Sequence, residues 1–206
     1  LAYKLEPELY SFRLLDELVH WLQDHPGNEP LKAHINIDTG MKRLGFAPAE
    51  IPELARRLNM HKRLVLASAY SHLVGSDAPE HAAFTRQQIA DFEMAYNQLC
   101  SLTNSRPLKH ILNTAGVLNF AEAQFDMVRL GIGLYGFDPS AGPAQDRLQP
   151  VSTLKTIISQ IHELKAGETV GYNRAGKAEA PMRVATLPVG YADGIVRACG
   201  NGRVRF

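Results

Sequence analysis

Apolar positions recur along the first two thirds of the chain with two alternating periods. Phe12, Leu15, Val19 and Leu22 return every three or four residues, one face of a helix that starts after Pro7 and is stopped by Pro26 and Gly27. "LKAHINID" then reads as a short apolar strand. In "PAEIPELARRL", Ile51, Leu54 and Leu58 share a second helical face, and "RLVLASAYSHL" is a strand apolar on both faces, as in a covered parallel sheet. A long third helix over residues 82–102 carries Ile89, Phe92, Tyr96 and Leu99 at spacings of 3, 4 and 3. "LKHILNTAG" and "DMVRLGIGLYG" read as two further buried strands.

Strands that alternate with helices predict an α/β fold with a parallel sheet and right-handed crossovers. The pattern changes at "DPSAGPAQDRLQP", where three prolines and Gly142 mark a linker. Beyond it, "VSTLKTIISQI", "ETVGY", "MRVATLPVGYADG" and "RVRF" show strand-like runs between turn residues and no helical stripe. The expected organisation is an α/β unit over residues 1–142, a linker over 143–150 and an all-β unit over 151–206.

Composition narrows the picture without changing it. The chain has 206 residues, 45% hydrophobic and 21% charged, with a formal net charge of +1, the profile of a globular protein with no electrostatic pull toward nucleic acid or an anionic membrane. Two cysteines, Cys100 and Cys199, give no disulfide framework or thiolate metal site and fit a reducing cytoplasm. No apolar run reaches the roughly 18 residues of a membrane span. The first residues show no signal-peptide pattern and no initiator Met, so a fragment is expected.

Candidate chemistry clusters at strand ends, where parallel α/β folds place their sites. Asp38 and Arg43 follow the first long strand, Ser71 and His72 the second and Asn113 and Thr114 the third, while Arg129 and Gly131 sit on the fourth. Asp38-Thr39-Gly40 is also the tripeptide of aspartic proteases, but those are all-β, and here the tripeptide leads into a helix. The protease reading is set aside on that ground.

The motifs "DTGMKRLGF", "YSHLVGSD", "LNTAG", "VRLGIGLYG", "VGYNRAG" and "LPVGYADG", in this order over nearly the whole chain, resemble those of alanine racemases, pyridoxal-phosphate enzymes of fold type III. The resemblance implies a partial (β/α)8 TIM-type barrel followed by the start of an all-β C-terminal domain. It implies racemisation of L- and D-alanine, supplying D-alanine for cell-wall peptidoglycan, by a cytoplasmic homodimer with shared active sites. By the same resemblance, Arg43 meets the cofactor's phenolic oxygen and the substrate carboxylate, both suited to an always-charged planar donor. Asp38 is then a structural acceptor, and Gly40 and Gly45 let the loop turn tightly. His72 corresponds to a ring-stacking histidine that links Arg129 to a tyrosine. Arg129 faces the pyridine nitrogen, and because a guanidinium only donates, that nitrogen stays unprotonated. Thr114, Gly131 and Ile132 are the implied phosphate ligands, with Asn113 orienting them. Tyr172 corresponds to the catalytic tyrosine of a two-base (Lys/Tyr) mechanism; a tyrosine of ordinary pKa near 10 is a poor base, which the His72–Arg129 pair would correct. Tyr191 resembles a residue of the substrate path, with Asp77 and Arg197 further out.

The chain also departs from the family. A lysine motif like VKANAYGHG, which carries the cofactor in the family, does not occur, and the sequence matches the middle of a racemase. Asn36 stands where many members have a carbamylated lysine, so a bound anion such as chloride is the expected substitute. Three alternatives stay open. The chain is part of a racemase, in one version fused to a cell-wall ligase domain; it is a racemase of another small amino acid such as serine; or it is a non-catalytic truncated paralogue that binds a ligand or partner. A small pyridoxal-phosphate homeostasis protein is disfavoured because a β-rich unit follows residue 150.

Overall fold

The computed structural model describes residues 3–200, which form two compact units that divide at Val151 and Ser152. In the first unit, strand β1 (Glu8–Leu9) leads to helix α1 (Phe12–Asp24), β2 (Leu31–Asn36), α2 (Ile51–Asn59), β3 (Leu64–Tyr70), α3 (Ala82–Thr103), β4 (Leu108–His110) and α4 (Thr114–Asn119). The four strands pair in parallel in the order β1-β2-β3-β4, and each crossover is a helix. This is an arc of a (β/α) barrel.

Each helix forms where its pattern and caps agree. The Ser11 side chain accepts from the Leu14 N–H and starts α1, so Glu8 and Leu9, expected inside that helix, are free to pair with β2 instead. The α2 face is as expected, with Ile51, Leu54 and Leu58 buried. In α3, Phe92 and Leu99 are fully buried while Ile89 and Tyr96 are partly so, and Asn104 ends the helix in the left-handed conformation. Leu9, Ile35, Ile37, Phe46, Leu54 and Phe92 anchor the core between sheet and helices.

The expectations for β2 and β3 need correction. On β2, Leu31, Ala33 and Ile35 are buried, while Lys32, His34 and Asn36 form the opposite face. On β3, that face carries Ser68 and Tyr70, and on β4 it carries His110, so the sheet has one apolar and one polar face.

The fourth expected strand, "DMVRLGIGLYG", does not form. It runs beside β4 through only two main-chain bonds, Asp126 N–H to the Lys109 carbonyl and Arg129 N–H to the Leu112 carbonyl. The Asp126 carboxylate takes the Lys109 N–H that a ladder would use, and residues 132–135 curl into a 3-10 turn. The "LKHILNTAG" strand is likewise short, because Asn113 caps α4 three residues after His110.

In the second unit, β5 (Gln160–Leu164) pairs antiparallel with β8 (Met182–Thr186), and β6 (Thr169–Val170) with β7 (Gly176–Lys177). The β content is lower than expected, because the run 152–159 is outside any strand and the described ladders are two-stranded, without a covered face. The strand expected in "RVRF" lies outside the described residues. Among the described residues no helix is long and apolar enough to cross a membrane.

Candidate active site

The loop after β2 folds back on its own strand. Asp38 N–H donates to the Phe46 carbonyl and Phe46 N–H to the Asn36 carbonyl, at 2.8 and 2.9 Å. Inside this turn, Asp38 Oδ1 accepts from the N–H groups of Gly40 and Lys42, at 2.9 and 3.1 Å. Gly45 has φ +122°, and a Cβ there would lie 2.7 Å from the Asp38 nitrogen, so only glycine fits. The Asp38 carboxylate is therefore taken up within its own loop, Oδ1 by the main chain and Oδ2 by Lys42 Nζ at 3.7 Å, and Arg43 is left exposed at the loop tip. After β3, Gln88 on α3 fixes the next loop, accepting from Val74 N–H and donating to the His72 carbonyl.

Arg129 is the centre of the polar face. Its guanidinium donates to the Ser71 carbonyl at 2.6 Å, to His110 Nδ1, and to His72 Nδ1 at 3.3 Å. It also stacks over Tyr70, 4.8 Å from the ring centroid. Burial lowers the Arg129 pKa, and Tyr70 and Glu8 oppose that. Burial and the Arg129 charge hold His110 down at about 4, and burial, Arg129 and Arg43 push His72 down as well, so both rings are neutral near pH 7. Tyr70 is pushed up, first by burial and then by its hydrogen bond to Glu8.

A cavity of about 500 Å³ opens beside this cluster and is lined by His72, Asp77, Thr114, Arg129, Gly131 and Ile132 among others. Thr114 Oγ1 accepts from the N–H groups of Gly131 and Gly133, each at 3.1 Å. A Cβ on Gly133 would fall 2.7 Å from Thr114 Cγ2, so the turn and the hydroxyl are fitted to each other. Asn113 caps α4, accepting from Gly116 N–H and Ser76 Oγ.

Two family models match the chain: the alanine racemase N-terminal domain over residues 1–139 and the alanine racemase C-terminal domain over residues 151–206. The chain belongs to the alanine racemase family. It is 34% identical to an alanine racemase of Treponema denticola over 211 residues, covering 100% of this chain and 55% of that protein. The biosynthetic alanine racemase of Pseudomonas aeruginosa superposes with a TM-score of 0.76 at 31% identity, over 95% of this chain and 52% of the other. The alanine racemase of Bartonella henselae, solved with covalently bound pyridoxal phosphate, gives 0.74 at 26% identity, over 96% and 52%. The chain thus spans about half the length of the relatives it matches.

Within the alanine racemase frame, the first unit brings His72, Asp77, Asn113, Thr114, Arg129, Gly131 and Ile132 to one cavity. Arg43 lies outside that lining, though near enough for its charge to act on His72. Tyr172, Tyr191 and Arg197 belong to the second unit, where Tyr172 is 91% and Tyr191 73% exposed. The donor set suits a phosphorylated pyridine: a hydroxyl beside main-chain N–H groups for the phosphate and a guanidinium for the ring. Sequence reading missed Glu6, His34, Ser68, Tyr70 and His110. For His34, Ser68 and Tyr70 the available signal was the period of 2 on β2 and β3, hidden by calling both strands apolar; Glu6, before β1, and His110, at the end of β4, had no such signal.

Proposed function

We propose that this chain forms the cofactor and substrate site of a pyridoxal-phosphate-dependent racemase that interconverts L- and D-alanine and supplies D-alanine for peptidoglycan. The observation that carries this reading is Arg129, a group that can only donate, held by three partners at the edge of the cavity. Bound there, pyridoxal phosphate would supply the electron-withdrawing ring that makes the substrate Cα–H acidic.

The protein's own residues do the rest. Thr114 Oγ1 and the N–H groups of Gly131 and Ile132 bind the phosphate, the Gly131 N–H turning to it from Thr114 Oγ1, with Asn113 holding the turn. Arg129 offers N–H to the ring nitrogen and leaves no proton on it, which keeps electron withdrawal modest and favours return of a proton to Cα. Neutral His72 packs against the ring, and Arg43 binds the substrate carboxylate. Tyr172 holds or moves the proton at one face of Cα, and a family lysine, absent from these 206 residues, serves the opposite face. Asp77, Tyr191 and Arg197 line the substrate path. The site is completed in a homodimer, each barrel using the partner's Tyr172. These residues by themselves are expected to be inactive, lacking one of the two bases.

The test is Arg129→Glu in the full-length protein, because a carboxylate can share a proton with the ring nitrogen. D-alanine formation from L-alanine should fall about a hundredfold or more, and pyruvate from transamination should rise. Racemisation at the original rate, with no pyruvate, would show that Arg129 does not meet the cofactor.

A further inference from the structure

Behind Arg129, a line of hydrogen-bonded side chains crosses β4, β3 and β2 and ends on Glu6, just before β1. His110 Nε2 lies 2.9 Å from Ser68 Oγ, Ser68 Oγ 2.6 Å from His34 Nδ1, and His34 Nε2 3.0 Å from Glu6 Oε2. Parallel register places these residues in line. His34 pairs with Ser68 across β2 and β3, and Tyr70, two residues on from Ser68, pairs with His110 across β3 and β4. We propose that Glu6, His34 and Ser68 are positioning residues, forming with His110 a hydrogen-bond chain of fixed direction that sets the His110 tautomer and thereby aims Arg129.

The two ends dictate the direction. Arg129 carries only donors, so His110 Nδ1 must accept and its proton sits on Nε2. His110 Nε2–H then donates to Ser68 Oγ. Ser68 passes its own proton toward His34 Nδ1, leaving His34 Nε2–H to donate to Glu6, a carboxylate that only accepts. Every donor thus points from the cation to the anion. The reverse tautomer of His110 would turn Nδ1–H against Arg129 and leave two donors facing each other.

Burial makes the arrangement strict. Ser68 is 0% and His110 3% exposed, so water cannot replace a lost partner, and a buried donor without an acceptor is disfavoured. The charged and titratable groups around His110 are Arg129, His34 and Asp126, with Tyr70 stacked on its ring at 5.1 Å and Glu8 bonded to Tyr70. Around His34 stand Glu6 and, through Glu6, Lys32. The low His110 pKa agrees with a ring that accepts at one nitrogen and donates at the other. The direction of the chain rests on Arg129 and Glu6 alone; the positioning role rests also on the proposed racemase site.

Neutron diffraction from deuterium-exchanged crystals of the full-length protein, without cofactor, tests the direction. Deuterium is expected on His110 Nε2 and not on Nδ1, on Ser68 Oγ directed at His34, and on His34 Nε2 only. Deuterium on His110 Nδ1, or on both nitrogens of either ring, overturns the proposal. The role is tested by racemisation kinetics. Ser68→Ala should lower kcat about tenfold with KM changed less than about threefold, the size of effect usual for removing an outer orienting partner. Ser68→Thr, which keeps the hydroxyl, should stay within about threefold of the parent. Should Ser68→Ala fail to fold, Glu6→Ala at the partly exposed end should still lower kcat by about threefold or more without altering thermal stability. Unchanged kcat in Glu6→Ala, or equal loss in Ser68→Ala and Ser68→Thr, overturns the positioning role. A parent protein that does not racemise would defeat the proposed function while leaving the neutron result intact.

Discussion

His110 shows how one residue ties site chemistry to stability. Its ordinary pKa of 6.5 is lowered to about 4 by burial and by Arg129. A depressed histidine pKa means that the unfolded chain takes up a proton the folded chain refuses. The folded state is therefore unaffected above about pH 6.5 and loses stability as pH falls from there to about 4, by up to about 3 kcal/mol. His72 is shifted in the same direction and adds to the loss. His110→Gln keeps an acceptor and a donor but cannot titrate. Urea unfolding at pH 7 and pH 4.5 should show a clearly smaller drop for this variant than for the parent. An identical drop in both would mean that His110 protonates freely in the folded protein.

At the scale of the element, the turn after β2 carries Arg43 only because two features agree. Asp38 ties down the N–H groups of Gly40 and Lys42, and Gly45 supplies a backbone angle that side chains rarely adopt. Gly45→Ala would place a methyl against the main-chain nitrogen of Asp38, a contact that no side-chain rotation relieves. The expected cost is about 2 kcal/mol or more, seen as a lower Tm, with weaker substrate binding because Arg43 shifts. An unchanged Tm would show that the turn can open without penalty. Helix ends make the same point about α1. The apolar stripe from Phe12 to Leu22 set its face, while the Ser11 cap decided that Glu8 and Leu9 stay out of it.

For the whole molecule, the proposed sharing of sites between protomers makes activity a property of the pair. Tyr172→Phe and Arg129→Glu homodimers should each be nearly inactive. If each barrel uses its partner's tyrosine, a heterodimer of the two has one site with both defects and one with neither. Co-expression with two affinity tags should then recover close to half of the wild-type activity per heterodimer, by counting sites. A purified heterodimer that stays inactive would place Tyr172 over its own barrel.

Local pattern and general chemistry made much of this protein readable from the chain alone. Helix faces, the alternation of strands and helices, and the strand-end positions of His72, Asn113 and Thr114 follow from periodicity and from where polar residues interrupt it. The family resemblance implied Asp38 as a structural acceptor, and its partners could be found locally, within four residues of it. The line from Glu6 to Arg129 could not, because its members are separated by 28, 34, 42 and 19 residues and meet only through parallel register. The failed strand after β4 has the same origin. Its apolar residues suit a ladder, but the Asp126 carboxylate occupies the Lys109 N–H, a competition visible only once the two segments lie side by side. Sequence determined the three long helices and which face of each is apolar. Tertiary structure decided which polar side chains share the inner face of the sheet, because that depends on contacts between residues far apart in the chain.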